Sequence, residues 1–107
     1  LGITKPSTSC TGNQACKDAT KDGGTVTMEG YSCTANQSCK SLAKDGTATL
    51  ANNACTNSKS CEDAAKNGGK FTVGEESCTQ QQSCDEAGRD NGDATIGYKS
   101  CTGSKSC

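Results

Sequence analysis

A threonine flanked by two apolar residues recurs along the chain, as Val26-Thr27-Met28, Ala48-Thr49-Leu50, Phe71-Thr72-Val73 and Ala94-Thr95-Ile96. Near the start, Ile3-Thr4-Lys5 keeps the threonine but sets a lysine in one of the apolar places. A period of two predicts short strands whose threonines face water while their neighbours face a core. The β-branched content favours strand over helix. Six residues after each of these threonines stands a cysteine, at 10, 33, 55, 78 and 101, so the unit repeats in steps of 23, 22, 23 and 23 residues. A strict period of this length, with one supersecondary unit per copy, predicts a solenoid.

Each of those cysteines opens the pattern Ser-Cys-Thr-x-x-x-Ser-Cys, over residues 9–16, 32–39, 54–61, 77–84 and 100–107, with Ala15 and Ala54 in serine places. Alternation across Ser-Cys-Thr predicts that the cysteine points inward and its neighbours outward. The outward threonine column is then Thr11, Thr34, Thr56, Thr79 and Thr102. The outward serine column is Ser9, Ser32, Ser77 and Ser100, with Ala54 as the departure. Polar, turn-tolerant triplets follow, such as Gly12-Asn13-Gln14 and Asn57-Ser58-Lys59. Beyond the second cysteine an inward column reads Ala19, Leu42, Ala64 and Ala87. A glycine corner comes next: Lys21-Asp22-Gly23-Gly24, Lys44-Asp45-Gly46, Lys66-Asn67-Gly68-Gly69 and Arg89-Asp90-Asn91-Gly92. The one-residue deletion of the second copy falls in this corner, where a surface turn absorbs it.

The 107 residues make one repeat domain, 1–107, with a partial coil over 1–9 ahead of the repeats that start at 10, 33, 55, 78 and 101. Aromatic residues are 3% of the chain and tryptophan is absent, so a core of ordinary width cannot be filled. Ten cysteines supply covalent staples instead, and their even count fits an oxidising, secreted or cell-surface setting. Strands stacked about 4.7–4.9 Å apart lie within disulfide reach, so distance alone does not exclude bridges between coils. Counting decides: each column holds five cysteines, and pairing along a column would strand one in each. The expected bridges are Cys10–Cys16, Cys33–Cys39, Cys55–Cys61, Cys78–Cys84 and Cys101–Cys107. The expected fold is all-β, a parallel β-solenoid (β-helix) of about five 22–23-residue coils, right-handed, with one disulfide inside each coil.

Other chemistry is sparse. Net charge is −1, with no basic stripe to meet phosphates, so nucleic acid is not an expected partner. No apolar run is long enough to span a bilayer, so no membrane insertion is expected. Histidine is absent and the thiols are expected oxidised, which leaves no general base, no zinc ligand set and no expected cofactor; the chain is not expected to be an enzyme. The Asp22, Asp45, Asn67 and Asp90 column has the composition of a turn before glycine rather than of a calcium loop. Asn36-Gln37-Ser38 forms a glycosylation sequon in a corner.

The stretch Cys55-Thr56-Asn57-Ser58-Lys59-Ser60-Cys61-Glu62-Asp63-Ala64 resembles the repeat of beetle antifreeze proteins of the mealworm type, Thr-Cys-Thr-x-Ser-x-x-Cys-x-x-Ala-x. The likeness covers about half of each repeat; the glycine corner and the apolar-Thr-apolar strand have no counterpart there. It implies a right-handed β-helix with disulfides inside its coils and ice binding through a flat hydroxyl array. Here that array reads Ser-x-Thr, on a coil nearly twice as long. The resemblance therefore implies ice contacts at Thr11, Thr34, Thr56, Thr79 and Thr102, with Ser9, Ser32, Ser77 and Ser100 beside them; the same ladder of hydroxyls and methyls would suit another regular surface, such as a crystalline polysaccharide. The strand threonines, with irregular outer neighbours Thr25, Thr47, Lys70 and Asp93, make the second and less regular face. The last repeat stops just after its cysteine turn, without a capping segment. The alternative expectation is therefore a structural, adhesive or filament-forming stretch of a larger extracellular protein, with end-to-end self-association satisfying the open edges.

Overall fold

The computed structural model describes residues 2–18, 24–43, 45–64, 68–85, 87 and 92–105. They form a parallel β-solenoid without a helix. Its strands are β1 (Gly2–Thr4), β2 (Thr25–Met28), β3 (Thr47–Leu50), β4 (Lys70–Val73) and β5 (Asp93–Ile96). They make one sheet in chain order, each strand parallel to the next. Thr4, Thr27, Thr49, Thr72 and Thr95 stand in direct register from β1 to β5. The apolar-Thr-apolar motif is therefore a strand in every copy, as its period of two predicts. The deletion before β3 leaves the register intact, with Thr25 still opposite Thr47.

In β2, β3 and β4 exposed and buried positions alternate strictly. Val26, Met28, Ala48, Leu50, Phe71 and Val73 face a core completed by Leu42, Ala43, Ala64 and the cysteines. Phe71 is the largest fully buried side chain, and its register partners on either side are Ala48 and Ala94. Small residues above and below thus make room for one ring in a thin interior.

Four of the expected bridges are formed, Cys10–Cys16, Cys33–Cys39, Cys55–Cys61 and Cys78–Cys84. Their Cα separations of 5.5 and 5.6 Å lie at the usual value. The fifth expected pair ends on Cys107, outside the described residues. Bridges of this kind persist in an oxidising compartment. The cysteine segments also carry the stack through main-chain bonds. Cys10, Cys33, Cys55 and Cys78 donate N–H to Ser32, Ala54, Ser77 and Ser100 of the following coil. Cys39, Cys61 and Cys84 each donate, at 2.7 Å, to the preceding coil.

The Ser-Cys-Thr segment is not a strand. Cys10, Cys33, Cys55, Cys78 and Cys101 all adopt left-handed backbone, with φ between 54° and 58°. Gln14, Gln37, Lys59, Gln82 and Lys105 do the same four positions on. Single left-handed residues turn the chain sharply, so each coil closes by repeated corners rather than by a second sheet. Glycine is required where corners meet, as at Gly24 and Gly30. A Cβ on Gly24 would collide with the carbonyl of Ala43, and one on Gly30 (φ +55°) with the side chain of Asn52.

Candidate functional site

The sheet presents the more regular of two hydroxyl rows. Thr4, Thr27, Thr49, Thr72 and Thr95 are all exposed, one per strand. Beside them stand Thr25, Thr47, Lys70 and Asp93, also exposed. β2 and β3 therefore carry twin Thr-x-Thr pairs in register, Thr25/Thr27 against Thr47/Thr49. The second column changes character at Lys70, whose N–H donates to Asp93 Oδ1 at 3.3 Å.

The corner row is less uniform. Thr11 and Thr102 are exposed, whereas Thr34, Thr56 and Thr79 are half-buried. The serines expected beside them are corrected: Ser9, Ser32 and Ser77 are buried, and Ser100, in the last coil, is half-buried. The cause is the left-handed cysteine, which breaks the strand alternation so that serine and cysteine both turn inward. The buried hydroxyls bind the next coil's corner. Ser32 Oγ donates to Ala51 O at 2.7 Å and accepts from Ala54 N at 3.4 Å. Ser77 Oγ donates to Gly97 O at 2.5 Å and accepts from Ser100 N at 3.0 Å. Ser9 Oγ donates to Gly30 O at 2.6 Å. These serines hold coils together, and no flat Ser-x-Thr array faces solvent.

A second serine column lies before the second cysteine. Ser38 and Ser83 donate to Ala35 and Gln80 carbonyls, whereas the buried Ser60 hydroxyl finds no partner. An unmet buried hydroxyl stabilises nothing, and Ala15 already fills this place in the first coil. Ser60→Ala is therefore expected to leave the unfolding midpoint unchanged or raise stability by up to about 1 kcal/mol. A clear drop in urea denaturation would refute this.

Next to the corner threonines runs an open groove lined by Asn53, Thr56, Glu76, Thr79, Lys99 and Thr102. Lys99 Nζ lies 3.4 Å from Glu76 Oε1 and 5.2 Å from the centre of the Tyr98 ring. A hydrogen bond with Tyr98, and then the Glu76 carboxylate, hold the Lys99 ammonium above its ordinary pKa. It is charged throughout the neutral range. Sequence reading did not find this groove, because its two walls meet only once the cysteine corner folds. The columns that pointed to it are the positions two before and one after each first cysteine.

Elsewhere the chemistry is slight. Cys55, Cys61 and Cys78 bring their sulfurs within 4.8 Å of one another, but all three are bridged. Glu62, Asp63 and Asp85 bring carboxylate oxygens equally close. In the candidate calcium column, Asp45 is an exposed turn residue at φ 63°, while Asp22, Asn67 and Asp90 lie outside the described residues. Asn36 of the sequon is exposed. No helix among the described residues is long and apolar enough to cross a membrane. No protein-family model matches the chain, and no curated protein or solved structure does either.

Proposed function

We propose that this protein is a secreted, ice-binding β-solenoid of five coils, right-handed like other parallel β-crossovers. The observation that carries the reading is the row of five exposed threonines held in strand register. Each offers a hydroxyl and a methyl at strand spacing, over about 19 Å. A surface already ordered by disulfides and main-chain bonds binds a regular ligand without an ordering cost. The sheet row suits this better than the corner row of Thr11, Thr34, Thr56, Thr79 and Thr102, whose middle members are half-covered.

The test is thermal hysteresis together with the shape of ice crystals. Thr27→Lys with Thr49→Lys is expected to remove most of the hysteresis while leaving every cysteine oxidised. Thr56→Lys with Thr79→Lys is expected to leave most of it. Reversal of these outcomes would move the ice face to the cysteine corner. Absence of hysteresis and of faceting in the parent protein would end the ice reading altogether.

A structural or adhesive role has one observation of its own. Ala94 and Ile96 of β5 are only partly covered, unlike their counterparts in β2 to β4. This reading has the coils stacking end to end with another such unit, and sedimentation would then show association rising with concentration.

A further inference from the structure

We propose that the groove between the corner threonines and the Asn53–Glu76–Lys99 column binds a straight chain of neutral, β-linked pyranose sugars laid along the solenoid axis. The groove is built by stacking. Each of three successive coils contributes one threonine and one longer polar side chain to its lining: Thr56 with Asn53, Thr79 with Glu76, Thr102 with Lys99. Successive coils are about 4.7–4.9 Å apart, so its polar groups repeat at an interval close to one pyranose ring of an extended chain. A ribbon-like β-linked chain keeps step with such a row, whereas a helically curled one leaves it after a ring or two.

The chemistry of the walls selects a neutral ligand. Three hydroxyls and one amide donate and accept with equal ease, which matches a polymer covered in hydroxyls. The two charges neutralise each other at 3.4 Å, leaving no net field for a polyanion.

The exposed tyrosines add a second, independent observation. Tyr31 is 57% and Tyr98 61% exposed, and neither belongs to the core, though Tyr98 meets Lys99. Tyr31 stands two before its cysteine, as Asn53 does one coil later, in a corner whose left-handed residue is Gly30 rather than the tyrosine. Tyr98 adjoins Lys99 in the last described coil, and its ring lies under the Lys99 ammonium. One exposed ring thus belongs to the coil before the groove's first residues, and one to the coil of its last. The negative face of a ring, where it is open, attracts the weakly positive C–H face of a sugar. Ice binding uses the sheet and this site uses the corner, so the two stand or fall separately.

The experiment is depletion of the folded protein from 0.15 M salt buffer onto microcrystalline cellulose and onto chitin, with polygalacturonate gel as an acidic comparison. The parent is expected to adsorb to one or both neutral glycans. Tyr31→Ala with Tyr98→Ala is expected to weaken adsorption about tenfold. Thr79→Lys, which fills the groove with a charged chain, is expected to weaken it as much. Circular dichroism and a free-thiol assay check that both variants are folded and bridged. Thr27→Lys with Thr49→Lys is expected to adsorb like the parent, whatever becomes of its hysteresis. The proposal is overturned by no adsorption of the parent to either neutral glycan, or by adsorption only to polygalacturonate. It is equally overturned if the tyrosine variant binds like the parent, or if the sheet variant loses binding.

Discussion

Phe71→Ala is expected to cost about 4–5 kcal/mol, near the upper end for removing a buried ring. The reason lies in the register. The residues directly above and below Phe71 are Ala48 and Ala94, and neither reaches into the space the ring leaves. The backbone cannot close over it either, because main-chain bonds and the Cys55–Cys61 and Cys78–Cys84 bridges fix the flanking coils. A site that cannot collapse keeps its cavity, and the cavity term adds to the lost transfer energy. Since small domains are stable by about 5–15 kcal/mol, this variant should be unfolded, or nearly so, in mild urea. Moving the ring one coil back tests the cause: Ala48→Phe in the Phe71→Ala background should recover much of the loss, while Ala48→Phe alone costs about 1–3 kcal/mol by overfilling. Additive costs in that double-mutant cycle would show that the two positions do not share one space.

Much of the fold was legible because each coil repeats the same side-chain columns. Thr27, Thr49, Thr72 and Thr95 with their apolar neighbours announce strands by period alone, and the structure places all of them in register. Pairing within coils followed from an odd number of cysteines per column, and the four bridges among described residues agree. What misled was the residue between Ser and Thr. Left-handed backbone is normally signalled by glycine, asparagine or aspartate, and a cysteine gives no such sign. Ser-Cys-Thr therefore reads as a strand although Cys33 and its counterparts turn the chain. One signal did point the right way. The column before the cysteine holds Ser9, Ser32, Ala54, Ser77 and Ser100, never a larger residue, and a place that accepts only serine or alanine is a tight one. The same misreading favoured the corner threonines over the strand threonines, and it hid the groove that the turn creates beside Asn53 and Glu76.

Removing an interior bridge should cost more than removing an end bridge, although the closed loops are identical in size. Every formed bridge spans a sequence separation of 6, so the chain-entropy contribution is the same for each, roughly 2.4 kcal/mol. Burial differs. Cys55 and Cys61 are fully buried, whereas Cys10 and Cys16 are only partly covered. Cys55→Ala with Cys61→Ala therefore loses the loop contribution and, in addition, about 1–2 kcal/mol of buried sulfur packing. It also weakens contacts with a coil on each side, whereas among the described residues the Cys10–Cys16 segment bonds to the coil after it. Cys10→Ala with Cys16→Ala should lose little beyond the loop contribution. Urea denaturation of the two double variants measures the difference, and amide exchange shows where it is felt. The middle variant should loosen the coils on both sides, and the end variant only the first. Sulfur in the central coils would then act as core as well as tether, filling an interior that the sparse aliphatic residues leave thin. Equal costs for the two variants would mean that the bridges only shorten the unfolded chain, with Val26, Leu50, Phe71 and Val73 left to hold the interior alone.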